Sequence, residues 1–410
     1  MNTSNQQPRT TTEATTESTR TMKTIDLDTF RDSLTSMQTQ LNGAFIQRET
    51  EVLVAVIALL TKLNAIYIGT PGVAKTALTD CMMAHITDAH TFKIQCGAFT
   101  TEDAMFGVPD LQGYKNGSYS RVTKGRLADC DFANLDEVFK TSDGAMNSTL
   151  GSLNEKRYAD TRIKLRTAFC TTNWPEVNSR SDNVAAFYDR LVLRCAVSDV
   201  TGEDAEIALL EAGDVEDNSY EPEPDATFTL AELDAAYAAM RTVKLDTSIR
   251  RTLVRMRGRL AKEKVTQTPR RMVKCQNVLR AHAWLNGRDA VTLDDFEILK
   301  QVMWHDEQQI PVVNGVVDNV DQEVVASCIS KIDTALNAYK QIAYAAPDLK
   351  MSESTAVLKV LESTANAVAK LLKENGATRR GRKQVAKATG ELKAKYVELS
   401  ASVTAHYALG

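Results

Sequence analysis

The feature that constrains this chain most is the apolar run Ala65-Ile66-Tyr67-Ile68, followed at once by Gly69-Thr70-Pro71-Gly72-Val73-Ala74-Lys75-Thr76 and then by a helical run from Ala77 to Ile86. A short apolar run closed by Gly and Pro reads as a buried strand entering a tight loop. Placed between a strand and a helix, such a loop turns its backbone N–H groups and those of the helix N-terminus toward one point, which suits a phosphate. In that order of elements Lys75 neutralises β- and γ-phosphate oxygens and the Thr76 hydroxyl ligates Mg²⁺. Gly69, Thr70, Pro71, Gly72, Val73, Ala74, Lys75, Thr76 and Ala77 are therefore the candidate nucleotide-binding residues. One departure matters: the position before the lysine, commonly glycine, is Ala74, and a Cβ there is expected to be tolerated only at negative φ. A Gly/Pro turn ahead of an ordinary helix is the plain alternative.

A second block lies some sixty residues on, where Phe132-Ala133-Asn134-Leu135 ends in Asp136-Glu137. Acidic side chains at the C-terminal tip of a sheet strand sit where a metal ligand and a hydrolytic base are needed. Asp136 is the candidate metal ligand beside Thr76, and Glu137 the residue that polarises an attacking water. Alone, such a pair often only caps a helix; its strand context and its distance from the loop give it weight. A third strand, Thr167 to Thr172, ends in Asn173, whose amide can reach the same water or a γ-phosphate, or can simply open the turn before Trp174-Pro175. Phe187-Tyr188-Asp189-Arg190-Leu191 then precedes a further strand. Arg190 either pairs with Asp189 or projects across a subunit boundary as an arginine finger.

The strand candidates Ala65 to Ile68, Thr91 to Cys96, Asp131 to Leu135, Thr167 to Thr171 and Val192 to Val197 alternate with stretches long enough for crossover helices. That alternation predicts an α/β core, a parallel five-stranded sheet with helices on both faces. Its 410 residues exceed what one hydrophobic core organises. The expected division is a polar tail over 1–24, a nucleotide-binding core over 25–200, an acidic connector over 201–228, a helical lid over 229–313 and a helical C-terminal extension, a hairpin or bundle, over 314–410. Between Arg194 and Arg241 there is no Lys or Arg, which marks the connector.

The order and spacing of these blocks resemble AAA+ ATPases of the MoxR group, most closely the RavA-like branch, over about Leu41 to Val313. The loop GTPGVAKT is similar to that branch's phosphate loop, in which Ala before Lys is familiar. TTEDAMFG at 100–107 with GYKNGSYSRVTKGRL at 113–127 resembles a hairpin insertion in the second helix, and 157–166 the hairpin before the sensor strand. The resemblance implies that Asn173 is the first sensor, Arg190 the trans-acting finger and Arg270, in Thr268-Pro269-Arg270-Arg271, the second sensor. Arg194 and Arg180 are rival fingers, and Arg271 a rival sensor. It also implies ATP and Mg²⁺ as cofactors, hydrolysis of ATP to ADP and phosphate, a homo-oligomeric ring with a hexamer as the expected number, and chaperone-like remodelling of a protein client, with a von Willebrand factor A domain protein as a partner. No β-rich insertion is read after Val313, so contacts made by such a module are not carried over.

Other functions are weighed against this. Slow hydrolysis would leave an ATP-gated scaffold, and a nucleic-acid-stimulated motor would use the ten basic residues between Arg250 and Lys274 or the run Thr378-Arg379-Arg380-Gly381-Arg382-Lys383. No aromatic is interleaved among the first cluster and the second lies between two helices, so a lid face paired with the acidic connector, and a charged interhelical turn, are preferred. Seven scattered cysteines and five histidines lack metal-ligand spacing, and the cysteines read as buried thiols of a reducing, cytoplasmic compartment. The longest apolar run, Val52 to Leu60, is nine residues, short of the ~20 of a membrane span.

Overall fold

The computed structural model describes residues 25–158, 161–178, 182–213, 223–343 and 350–409. The predicted tail and Arg180 lie outside them. Helix α1 (Leu27–Ala44) starts where Asp26 accepts from the backbone N–H groups of Asp28 and Thr29, and α2 (Glu49–Thr61) carries the longest apolar run into the core. Next along the chain are β1 (Ala65–Gly69), α3 (Lys75–Ala84), β2 (Thr91–Gln95), the short α4 (Glu102–Phe106) and α5 (Leu111–Lys115), β3 (Phe132–Asp136), α6 (Asp143–Asn154), the two-residue strands β4 (Arg157–Tyr158) and β5 (Thr161–Arg162), β6 (Thr167–Thr172), α7 (Trp174–Asn178), α8 (Asp182–Arg190) and β7 (Leu193–Val197).

Strands β1, β2, β3, β6 and β7 form one sheet in the order β2-β3-β6-β1-β7, every neighbouring pair parallel. The fold class expected from the alternation is the one observed. β1, β6 and most of β3 and β7 are buried, as a sheet covered on both faces requires. Edge strand β2 alternates instead, with Phe92 buried and Lys93 turned outward. The stretch expected to hold a hairpin insertion forms α4 and α5. A single antiparallel bridge, Pro109 to Arg121, ties it to the chain leading into β3, in place of a ladder.

After β7 the acidic stretch is not all linker: it carries helix α9 (Glu203–Gly213), and Phe228 returns to pack edge-on against Phe30 with ring centroids 5.4 Å apart. The lid comprises α10 (Leu230–Thr242), α11 (Thr247–Lys262), α12 (Pro269–Leu285), a 3₁₀ run Leu293–Gln301 and α13 (Ile310–Asp318). Thr229 with Glu232 and Thr292 with Asp295 close reciprocal capping boxes at two of its starts, fixing those boundaries by local hydrogen bonding.

The C-terminal helices α14 (Gln322–Ala343), α15 (Lys350–Asn375) and α16 (Arg379–Leu409) pack around their own core, which includes Cys328, Ile332, Leu361, Val385 and Leu392. Among the described residues no strand lies beyond Val313. The bundle is tied to the lid through the basic turn: Asp321 accepts from the Thr378 N–H and hydroxyl at 2.8 and 2.7 Å, and Asp294 accepts from the Arg379 N–H at 2.6 Å and from Arg382 at 2.9 Å. A Cβ on Gly381 would overlap the Asp321 carboxylate, so the close approach requires glycine there. All seven cysteines are free and buried.

Candidate nucleotide site

The loop leaves the sheet at Gly69, which pairs with Val197 of β7; a Cβ at Gly69 would overlap the Val197 carbonyl oxygen. Gly72 has φ +89°, which favours glycine. Ala74 departs from expectation. It adopts φ +60°, ψ +25° at the N-cap of α3, not the negative φ that the sequence led us to require for a Cβ. The left-handed conformation costs a residue with a Cβ roughly 1–2 kcal/mol, and it is held because the loop must turn there to start α3. No side chain caps that helix, so the N–H groups of its first turn face the loop as an anion cradle.

Lys75 Nζ donates to the carbonyls of Gly69 and Thr70 at 2.9 and 2.7 Å, and Thr70 Oγ1 donates to Asp199 at 2.9 Å. Burial pulls the Lys75 ammonium below its ordinary pKa, against the pull of the Glu137, Asp136 and Glu176 carboxylates. Three carboxylates thus face one partly enclosed cation, an electrostatic frame that also suits a metal-bound polyphosphate.

Next to the loop, β3 delivers Asp136. Thr76 Oγ1 donates to Asp136 Oδ1 at 3.1 Å, and Thr171 Oγ1 at the tip of β6 donates to the same oxygen. Glu137 comes next at φ +53°, its N–H held by Thr171 Oγ1 at 3.1 Å. This turn swings its carboxylate to Asn173, whose Nδ2 lies 3.2 Å from both Glu137 oxygens, while Lys140 Nζ lies 3.1 Å from one of them. The other polar side-chain atom of Asn173, Oδ1, is buried without a protein hydrogen-bond partner.

These residues fit the implied cofactors. A hydroxyl and a carboxylate 3.1 Å apart are the hard oxygen donors Mg²⁺ takes alongside phosphate oxygens. Among the described residues no group of three or more His, Cys, Asp or Glu could hold a metal, and an ion shared with a polyphosphate needs no such cage. The buried, unpartnered Asn173 oxygen is an acceptor left without a protein donor.

The arginines divide. Arg190, the last residue of α8, donates to Ala186 O of its own helix at 2.6 Å, and its Nε is buried without a partner. Arg194 is wholly buried: it donates to Leu191 O at 3.1 Å, Tyr188 O at 3.2 Å and Trp304 O, and stacks on the Tyr188 ring. That environment removes it as a rival finger, since its guanidinium is spent joining β7 to the lid. Arg271 is likewise buried and bonds Val192 O at 3.1 Å, Val302 O at 2.9 Å and Asp189, which removes it as a rival sensor. Arg270, beside it at the head of α12, is exposed. Residues 69–76, 136, 137 and 173 converge at the sheet's C-terminal edge, whereas Arg190 and Arg270 make no hydrogen bond to that group among the described residues.

Sequence reasoning assigned no site role to Thr171, Lys140, Glu176 and Asp199. Lys140 could have been found three residues after Glu137. The roles of Thr171 and Asp199 depend on strand adjacency, and only the sheet order supplies it.

Comparison with known proteins agrees with this geometry. Residues 32–235 match a family model described as the MoxR domain in MoxR-vWA-beta-propeller ternary systems, and residues 247–317 match an AAA lid domain. An uncharacterized protein of Methanocaldococcus jannaschii is 28% identical over 317 residues, covering 76% of this chain and 80% of that protein. A second from the same organism is 27% identical over 320 residues, with 75% and 82% covered. A structural protein of Acidianus two-tailed virus is 27% identical over 172 residues, 40% of this chain and 28% of that protein. Among solved structures, a candidate ATPase of Cytophaga hutchinsonii shares the fold with a TM-score of 0.57 at 14% identity, covering 72% of this chain and 95% of that one. With a matching MoxR domain, a matching lid and the sheet order described above, this chain belongs to the MoxR-type AAA+ ATPases.

Proposed function

We propose that the protein hydrolyses ATP to ADP and phosphate in a homo-oligomeric ring, a hexamer by family resemblance, and uses the energy to remodel a protein client. The observation that carries the hydrolytic part is the convergence of Thr76 and Asp136 at 3.1 Å with Asn173 and Glu137 at 3.2 Å beside the 69–76 loop. On this reading Lys75 turns from the loop carbonyls to β- and γ-phosphate oxygens, and the first-turn N–H groups of α3 bind the same phosphates. Thr76 and Asp136 hold the metal, directly or through its water. Bound Mg²⁺ neutralises charge on the phosphate oxygens. Glu137, aimed by Asn173 and Lys140, orients the attacking water and accepts its proton. Arg190 acts from a neighbouring subunit and Arg270 from the lid; the former's weak tether, a bond to its own helix, leaves it able to reach outward.

The segment between β2 and β3 supports a client-binding role. Phe99 is 96% exposed, and Leu111, Tyr114 and Tyr119 are at least two-thirds exposed, an apolar concentration unusual on a solvent-facing surface. Arg121 pins the segment by bonding Asp103 and Gly107 O, so these side chains stand on an ordered base. A von Willebrand factor A domain protein is the proposed partner, in keeping with the ternary systems that the matching family model describes. No helix among the described residues is long and apolar enough to cross a membrane, and a cytoplasmic setting is proposed.

Steady-state phosphate release by Glu137→Gln tests the reading. Turnover is expected to fall about a hundredfold or more, the usual weight of a general base, with ATP binding retained. Equal rates for variant and wild type would remove Glu137 as the base.

A further inference from the structure

Helix α9 is an anomaly of packing. It has eleven residues, and none of residues 203–211 is buried. Ile207, Leu209 and Leu210 are 46%, 50% and 71% exposed. An isolated helix shorter than about 12–15 residues is marginal in water, and stability normally comes from an apolar face packed on something. Only Ala205 and Ala208 are half-buried, so these turn toward the protein. Helical spacing then places Glu203, Glu206, Ile207, Leu210 and Glu211 together on the outer side. That face is two aliphatic side chains bordered by three carboxylates.

The counterpart is on the lid. Helix α11 buries Ile249, Thr252, Leu253, Met256 and Leu260, and its opposite side is exposed. There Val254, Gly258 and Ala261 form a strip that a large side chain can approach closely, with Arg250, Arg251, Arg257 and Lys262 along its borders. Val254 is 67% exposed. Among the described residues none of the arginines or lysines of α11 is in an ion pair, and no hydrogen bond or ion pair joins α9 to α11 within one chain. The sequence led us to expect the basic lid face to pair with the acidic stretch; among the described residues α9 makes no such pair, residues 214–222 of that stretch lie outside them, and the two helix faces match in charge and relief.

We infer that α9 of one copy docks on the outer face of α11 of a second copy, with Ile207 and Leu210 over Val254, Gly258 and Ala261, and with Glu203, Glu206 and Glu211 against the bordering arginines. Two different surfaces meet in this contact, so it is head-to-tail and builds a ring where its rotation closes and an open filament where it does not. It names a subunit contact of the assembly proposed above, and it rests on self-association alone, not on hydrolysis.

The test uses two charge-reversed full-length chains, Glu203→Lys/Glu206→Lys/Glu211→Lys and Arg250→Glu/Arg251→Glu/Arg257→Glu, studied by sedimentation velocity with Mg-ATP and with Mg-ADP. All six positions are exposed, so folding is expected to be intact, which circular dichroism checks. Each variant alone sets like charges face to face, and association should weaken by about a hundredfold or more. Mixed one to one, each α9 finds an oppositely charged α11, and assembly should return. Wild-type assembly should also weaken as salt rises. A variant that assembles like wild type, a mixture that fails to recover, or a wild type that stays monomeric with either nucleotide would each overturn the inference. Glu137→Gln, measured alongside, keeps this outcome separate from the catalytic reading, because it should assemble fully while losing turnover.

Discussion

Replacing Arg194 with Met keeps most of the side chain's length and removes a guanidinium that serves Leu191 O, Tyr188 O and Trp304 O. Hydrogen bonds from a charged donor contribute about 1.5–3 kcal/mol each, so three amount to roughly 5–9 kcal/mol. Against this, the variant no longer keeps a cation out of water, and the relief returns several kcal/mol. The net loss should be about 3 kcal/mol. Urea unfolding read by tryptophan fluorescence suits the measurement, because Trp304 supplies one of the acceptors and lies 6.0 Å from Trp174. The unfolding midpoint of Arg194→Met should drop clearly, while Arg190→Ala, which breaks a bond within its own helix, should unfold like wild type and lose turnover. If Arg194→Met unfolds within about 0.5 kcal/mol of wild type yet abolishes ATP hydrolysis, Arg194 belongs to the chemistry and the structural assignment is refuted.

Two further outcomes are expected. Ala74→Gly relieves a left-handed alanine worth roughly 1–2 kcal/mol against about 0.5–1 kcal/mol of added glycine entropy, so chemical denaturation should show a gain of about 0.5–1 kcal/mol; a loss would mean that the loop does not turn as described. Burial, with the neighbouring Lys274 cation adding to it, pushes the Lys156 ammonium down to about 7 from 10.5. Below that lower value the ammonium is protonated folded and unfolded alike; between the two the unfolded chain holds the extra proton, so stability should climb as pH rises through that window. Thermal melts of wild type should show the climb and those of Lys156→Met should flatten it; equal slopes would mean that Lys156 is not enclosed.

The local parts of this protein were legible from one dimension. The loop at 69–76 and the acidic tip at 136 and 137 depend on residues a few positions apart, and their local geometry follows from that spacing. The inner strands were readable because a sheet covered on both faces demands short, largely apolar runs, and edge strand β2 by its alternation. The positive φ at Ala74 escaped, because sequence carries residue type and not dihedral angle. So did the 3₁₀ character of Leu293–Gln301 and the helix inside the acidic stretch.

By itself the sequence determined the α/β core, the strand–loop–helix order around residues 69–76 and the carboxylates at the end of β3, since backbone hydrogen bonding and side-chain periodicity leave few alternatives once those residues are given. Only tertiary structure decided which arginines are committed to the fold. Arg194 and Arg271 look as available as Arg190 and Arg270 when read along the chain, but carbonyls brought in from the lid consume the first pair. The energetics of an ionisable side chain are set by what desolvates it and by what replaces its water, and those partners arrive from more than a hundred residues away in the case of Arg194 and Trp304. For the same reason the unpartnered faces of α9 and α11 become visible only once the tertiary structure shows which apolar side chains are buried and which are not.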